Sequence, residues 1–183
     1  MKRAPLLILA IAVVTAQAQQ PVSLKETLEW MHNFAADNGR QYAGQRNTDN
    51  GRCELGTPNC EERHDVTTFD SQSCSATIMW TITLNYKDAG TYTYRFSLKD
   101  LDPKSVAYVK DMPFENAVDA ETVNSAKKVN VVFTPPAGAT GDKFSNEPQT
   151  GVALVFDNGD HAKRFVKAFK HAIQLCGGKP SAF

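Results

Sequence analysis

Histidine and cysteine are the residues from which chemistry would be expected first in this 183-residue chain, and it has four of each. His32, His64, His161 and His171 are scattered, and no two stand four apart with a glutamate between them, so the zinc-protease helix motif is absent. His161 and His171 are separated by roughly three helical turns, about 15 Å of rise, too far to share a metal. His64 beside Asp65 has the pairing that orients an imidazole, but a general base also needs a substrate pocket, and no such pocket is legible. The bland reading of the histidines is exposure near helix ends. There is no G-x-S-x-G elbow, no S-x-x-K with its partners and no phosphate-cradling glycine loop. Asp157-Asn158-Gly159-Asp160 resembles the start of a calcium loop, but Ala168 stands where the bidentate acid belongs. Asp160 is better read as a helix N-cap, with Asn158-Gly159 supplying the turn. No catalytic residue, cofactor site or metal site is expected.

The cysteines carry a different message. Residues 1–18 have the form of a signal peptide: basic Lys2 and Arg3, an apolar core from Leu6 to Val14, and Ala16-Gln17-Ala18 before a cleavage point at Gln19. The apolar run is shorter than the ~20 residues a membrane span needs. Export to a periplasmic or extracellular space is the expectation, and there an even set of cysteines pairs. Cys53, Cys60, Cys74 and Cys176 allow three connectivities. The favoured one joins Cys53 to Cys60 across a polar loop and Cys74 to Cys176, stapling the C-terminal helix to a strand. Zinc is the rival reading, but the spacings lack a C-x-x-C pair. Cleavage takes Lys2 and Arg3 from the 20 basic residues, leaving 18 against 20 acidic ones. That balance supplies no field for nucleic acid or an anionic membrane.

The elements that would position these residues can be read in order. Residues 19–183 have the length of one domain. Ser23 with Glu26 forms a capping box for a helix over 23–36, with Leu24, Leu28, Met31 and Ala35 at helical spacing. Residues 39–65 are polar and read as a long surface loop. The sheet spans 66–156. Its clearest part is a hairpin in which Ile78, Trp80, Ile82, Leu84 and Tyr86, then Tyr92, Tyr94, Phe96 and Leu98, alternate with threonine-rich positions around a turn at Lys87-Asp88-Ala89-Gly90. Shorter strands are expected over 66–69, 106–110, 127–134 and 152–156, and the stretch 113–125 is acidic and weakly patterned. A helix over 160–176 carries Ala162, Phe165, Val166, Phe169, Ala172, Ile173 and Cys176 as a continuous apolar stripe, ended by Gly177-Gly178.

An N-terminal helix, an antiparallel sheet of six to seven strands and a long closing helix make an α+β domain. Strands in succession plugged by one C-terminal amphipathic helix resemble the element order of pleckstrin-homology-like domains, over residues 65–177. That resemblance implies a bent sheet closed at one end by the helix, and it matches no ligand-binding motif. A helix-grip or cystatin-like sheet is the alternative. One feature of the last helix is left over for function: Lys163, Arg164, Lys167, Lys170 and His171 gather away from the apolar stripe. They form either a patch for an acidic partner or a solvated face, and the threonine-rich hairpin face is either a carbohydrate or peptide platform or ordinary exposed strand. The reading that follows is an exported, non-enzymatic interaction module for an unknown protein or envelope component. A carrier of small apolar ligands, with a pocket between sheet and C-terminal helix, is the second reading. An enzyme without a recognisable motif is the third.

Overall fold

The computed structural model describes residues 22–44, 60–84, 87–110, 116–138 and 146–181. The first helix, α1 (Leu24–Asn38), starts where Ser23 makes the expected capping box: its hydroxyl accepts from the Glu26 amide, and its own amide donates to the Glu26 carboxylate at 2.9 Å. Thr27, Leu28, Met31, Phe34 and Ala35 form its buried face. The helix stops at Gly39, where a β-carbon would lie 2.5 Å from the Ala35 carbonyl oxygen and 2.7 Å from that of Asp65. Only glycine allows so close an approach between the end of α1 and the strand beneath it.

The polar stretch 39–65 is not a loop throughout. It contains β1 (Arg40–Gly44) and the first half of β2 (Cys60–Asp70), paired antiparallel with Arg40 opposite His64 and Gly44 opposite Cys60. Backbone pairing makes these strands, and their polar side chains hide them from a rule based on apolar alternation. β3 (Ser75–Leu84) and β4 (Lys87–Ser97) form the expected hairpin. The residues read as its turn belong instead to β4, which begins at Lys87. Ile82 pairs with Gly90 and Thr83 with Asp88, so Ala89 is an extra bulged residue. Gly90 has φ +114°, and a β-carbon there would meet the Phe133 ring at 2.4 Å.

β5 (Ala107–Val109), β6 (Ala117–Glu121), β7 (Asn130–Thr134) and β8 (Gly151–Val155) follow. β6 falls in the acidic stretch that showed no pattern, because Asp119 interrupts its short apolar sequence. The eight strands form two antiparallel sheets: β1-β2-β3-β4-β7 and β5-β6-β8. Closing the chain is α2 (Gly159–Leu175). Its N-cap is Asn158, not Asp160: the Asn158 side-chain oxygen accepts from the amides of Asp160 and His161 at 3.0 and 2.9 Å. The Asp160 carboxylate belongs to the first turn, where it complements the helix dipole.

Ala162, Phe165, Phe169, Ala172 and Ile173 of α2 are buried in one continuous core with Ile78, Phe96, Leu98 and Phe156. Burying each of the large side chains contributes on the order of 1.5–3 kcal/mol. Gly177 follows with φ +83°, the left-handed conformation expected beyond the helix end. Cys74 and Cys176 form a disulfide with a Cα–Cα distance of 5.9 Å, tying the end of α2 to the start of β3 as the favoured connectivity required. Cys53 and residues 1–18 lie outside the described residues, as therefore do the Cys53–Cys60 pairing and the signal peptide. No described helix is long and apolar enough to cross a membrane.

Candidate functional site

The basic residues of α2 divide between two surroundings. Lys163 turns toward the three-stranded sheet, its Nζ 3.6 Å from Asp160 Oδ1 and 5.4 Å from the centre of the Tyr108 ring. The remaining face turns toward α1. The Arg164 guanidinium carbon lies 5.0 Å from the Phe34 ring centre, and Trp30 stacks on that ring at 4.4 Å with an interplanar angle of 21°. Further along, Lys167 and His171 enter a groove between the two helices, while Lys170 is half-buried and does not line it.

This groove has a volume of about 1060 Å³ and lies open to solvent on one side. Val22, Thr27 and Trp30 line one wall; Lys167, Ala168 and His171 line the other. Helical spacing produces the arrangement. Positions 164, 167, 168 and 171 share one face of α2 next to the apolar stripe, so long cationic side chains flank the seam where the helices meet. Val22 is 56% exposed, an apolar side chain presented to solvent at the end of the groove. Glu26 also lines it, but its carboxylate is taken up by the Ser23 amide and hydroxyl, at 2.9 and 2.7 Å. The Ser23 hydroxyl and then its amide hold this carboxyl below the usual glutamate range. Among the described residues neither Lys167 nor Lys170 forms a salt bridge.

A second, smaller hollow of about 310 Å³ lies on the other side of α1, between Lys25, Leu28, His32 and Phe69. His32 there contacts the Thr67 carbonyl oxygen through Nδ1. The sheet-facing side of α2 is filled, since Phe165, Phe169 and Ile173 are at most 1% exposed. Both of these hollows border α1, and the larger of the two runs between the helices.

Among the described residues the other histidines do not join a cluster of acids or cysteines. His64 and Asp65 are neighbours in β2 and so point to opposite faces of the sheet. Asp65 is not the partner of His64 but of Arg63, through Nε at 2.8 Å and Nη2 at 2.9 Å. Arg63 and Asp65 occupy inward positions and are buried. Arg63 Nη2 also donates to the Ala153 carbonyl at 2.7 Å, and the Val155 amide donates to Asp65 Oδ2 at 2.8 Å. The pair thus satisfies the outer edge of β8 with side chains and joins the two sheets. Burial pushes the Asp65 carboxyl up, against the pull of the Arg63 guanidinium and the Val155 amide. The guanidinium carbon sits 3.6 Å from the Trp80 ring centre, and Trp80 continues into an aromatic cluster with Tyr92 and Tyr94. Sequence reading missed this pair. Its signal was a charged residue at each of two alternate positions, 63 and 65, leading into a strand. His161 is held by the Asp157 carboxylate, with Nδ1 at 2.6 Å from Oδ1, and stands edge-on to Phe34 at 5.4 Å. Among the described residues no three His, Cys, Asp or Glu side chains come together to hold a metal ion.

Comparison of the chain with protein-family models, with curated proteins and with solved structures finds no match. The geometry of the helical groove is therefore the basis for a functional reading.

Proposed function

We propose that this protein is an exported, non-enzymatic interaction module and that the groove between α1 and α2 is its docking surface. One observation carries the reading: Lys167 and His171 line the same groove as Val22 and Trp30. Apolar side chains bordered by charged and polar ones, Glu26, Lys167 and His171, have the composition of a recognition surface, because apolar contact supplies affinity and charge selects the partner. The Cys74–Cys176 disulfide supports the exported location, as such bridges persist in oxidising compartments. Residues 1–18, with the form of a signal peptide, support it further. The likeness to pleckstrin-homology-like domains belongs to this proposal too. Successive antiparallel strands closed by a C-terminal helix support it, and it brings no ligand with it.

Retention of a partner by the wild-type protein and its loss with Lys167→Glu is the expected result of affinity capture from the exported fraction. A matched reversal at exposed Lys127, on another part of the surface, should retain the partner. Turnover of a hydrolase substrate that disappears with His64→Ala would overturn the reading in favour of an enzyme. A carrier of small apolar ligands is the second reading, favoured by the exposed Val22 and half-buried Trp30 in the groove. It predicts a change in tryptophan emission with fatty acids or sterols.

A further inference from the structure

We infer that Met79 is a modification site, at which hydroperoxides oxidise the thioether to the sulfoxide while the protein stays folded. Met79 is 42% exposed, whereas Met31, on the buried face of α1, has no exposed surface. The pleat of β3 produces the difference. Ile78 and Trp80 turn inward, Ile78 into the core with Phe96, Phe165 and Phe169, so Met79 between them stands on the outer face of the five-stranded sheet. That face is turned away from both helices, and Met79 is no part of the groove between them. Its surroundings are rich in hydroxyls. Thr93 of β4 stands directly opposite, and Thr77 and Thr81 lie two positions to either side on the same face. Directly opposed residues of paired strands have their β-carbons about 4.5–5.5 Å apart, so the Thr93 hydroxyl is within reach of an oxygen added to the Met79 sulfur. The sulfur attacks the terminal oxygen of the hydroperoxide, and the S–O bond forms as the O–O bond breaks. The proton of the transferred oxygen passes to the departing one, which leaves as water or an alcohol. Sulfur gives up two electrons and the peroxide takes them. The polar sulfoxide then projects into water among threonines, and the core is untouched. On Met31 the same oxygen would enter an apolar interior, where an unpaired polar group is costly.

The experiment exposes the full disulfide-bonded protein to hydrogen peroxide and follows each methionine by mass spectrometry. Met31, Met79 and Met112 fall on separate tryptic peptides, 26–40, 64–87 and 111–127, and fragment spectra separate Met79 from Trp80. Met112 lies outside the described residues and is read only as a separate signal. Met79 sulfoxide should form at least about tenfold faster than Met31 sulfoxide, because a buried thioether reacts only when the core opens. In concentrated urea the two rates should become equal, which assigns the difference to the fold. Protein oxidised at Met79 alone should keep the circular dichroism and urea midpoint of untreated protein. Ile78→Met sets a thioether one position along and facing inward; it should react at least about tenfold more slowly than Met79 beside it. Comparable rates at Met79 and Met31 in the folded protein overturn the inference, and so does a difference that persists in urea. Oxidation of Met79 about tenfold or more slower than that of N-acetylmethionine amide overturns it too, since an accessible thioether reacts like a free one. So does a loss of circular dichroism that tracks Met79 oxidation. Equal reactivity of Met79 and the thioether introduced by Ile78→Met, in a variant with wild-type circular dichroism, is the remaining result that overturns it.

Discussion

Removing the Asp65 carboxylate while Arg63 stays in place should destabilise the fold more than most single changes. Asp65 is fully buried and accepts from Arg63 Nε and Nη2 at 2.8 and 2.9 Å and from the Val155 amide at 2.8 Å. Asp65→Ala takes from the buried guanidinium the carboxylate that holds it through two hydrogen bonds, and leaves the Val155 amide at the edge of β8 without that acceptor. Deleting one partner of a buried ion pair costs about 3–5 kcal/mol. The Trp80 ring, 3.6 Å from the guanidinium carbon, still faces the cation in the variant and holds the loss toward the lower end. For a chain of this size each kcal/mol moves Tm by about 2–4 °C, so a loss near 3 kcal/mol lowers it by roughly 6–12 °C. Urea and thermal unfolding of the oxidised protein measure both quantities. The double variant Arg63→Met/Asp65→Leu removes both desolvation costs at once. It still strands the Ala153 carbonyl and the Val155 amide, at about 1–3 kcal/mol each, but it leaves no buried guanidinium behind and fills the site with apolar side chains, so it should fall between wild type and Asp65→Ala. A loss below about 1 kcal/mol for Asp65→Ala, no more than an ordinary substitution, would refute the reasoning. A double variant less stable than the single one would refute it equally.

Two further outcomes are expected. Burial pushes the Tyr94 phenol up from its ordinary value of 10.0 to about 12. Its folded value lies above the unfolded one, so its contribution to stability is complete below pH 10 and lost as the pH rises toward 12. The difference in tyrosinate absorbance between wild type and Tyr94→Phe should titrate near the upper value; a transition at 10 would contradict the burial. Replacing both Cys74 and Cys176 by alanine opens a bridge between residues 102 apart in sequence. Chain entropy sets the loss at about 4–5 kcal/mol, and unchanged urea stability would show that the bridge does not constrain the unfolded chain.

The parts of the fold that the sequence makes legible are those where one side chain pattern meets one environment. The stripe of α2 is found where expected, and so in β3 and β4 is the alternation through Ile78, Trp80, Tyr92, Tyr94 and Phe96; Tyr86 lies outside the described residues, and Leu98 is buried in the 3-10 turn that follows β4. Strand β1, the first half of β2 and strand β6 escape the same reading. In β2 the inward positions 63 and 65 hold charges that neutralise each other, and in β6 Asp119 interrupts the run. Burial pushes the Asp119 carboxyl up, as expected of an acid placed among apolar neighbours. The N-cap of α2 was displaced by two residues because Asn158 and Asp160 are both good caps, and only backbone geometry chooses between them. For the candidate site, the basic residues could be grouped on one helix face from spacing alone. Which of them reach a groove depended on where α1 packs, a long-range relation between residues 22–30 and 167–171 that no local pattern encodes.

The proposed role of the groove is tested most directly by placing a photo-crosslinking side chain at position 167 and, separately, at position 127 of the protein. Crosslinking of one partner from 167, with none from 127, is the expected result. Crosslinking from 127 but not from 167, or equal labelling from both positions, would contradict it.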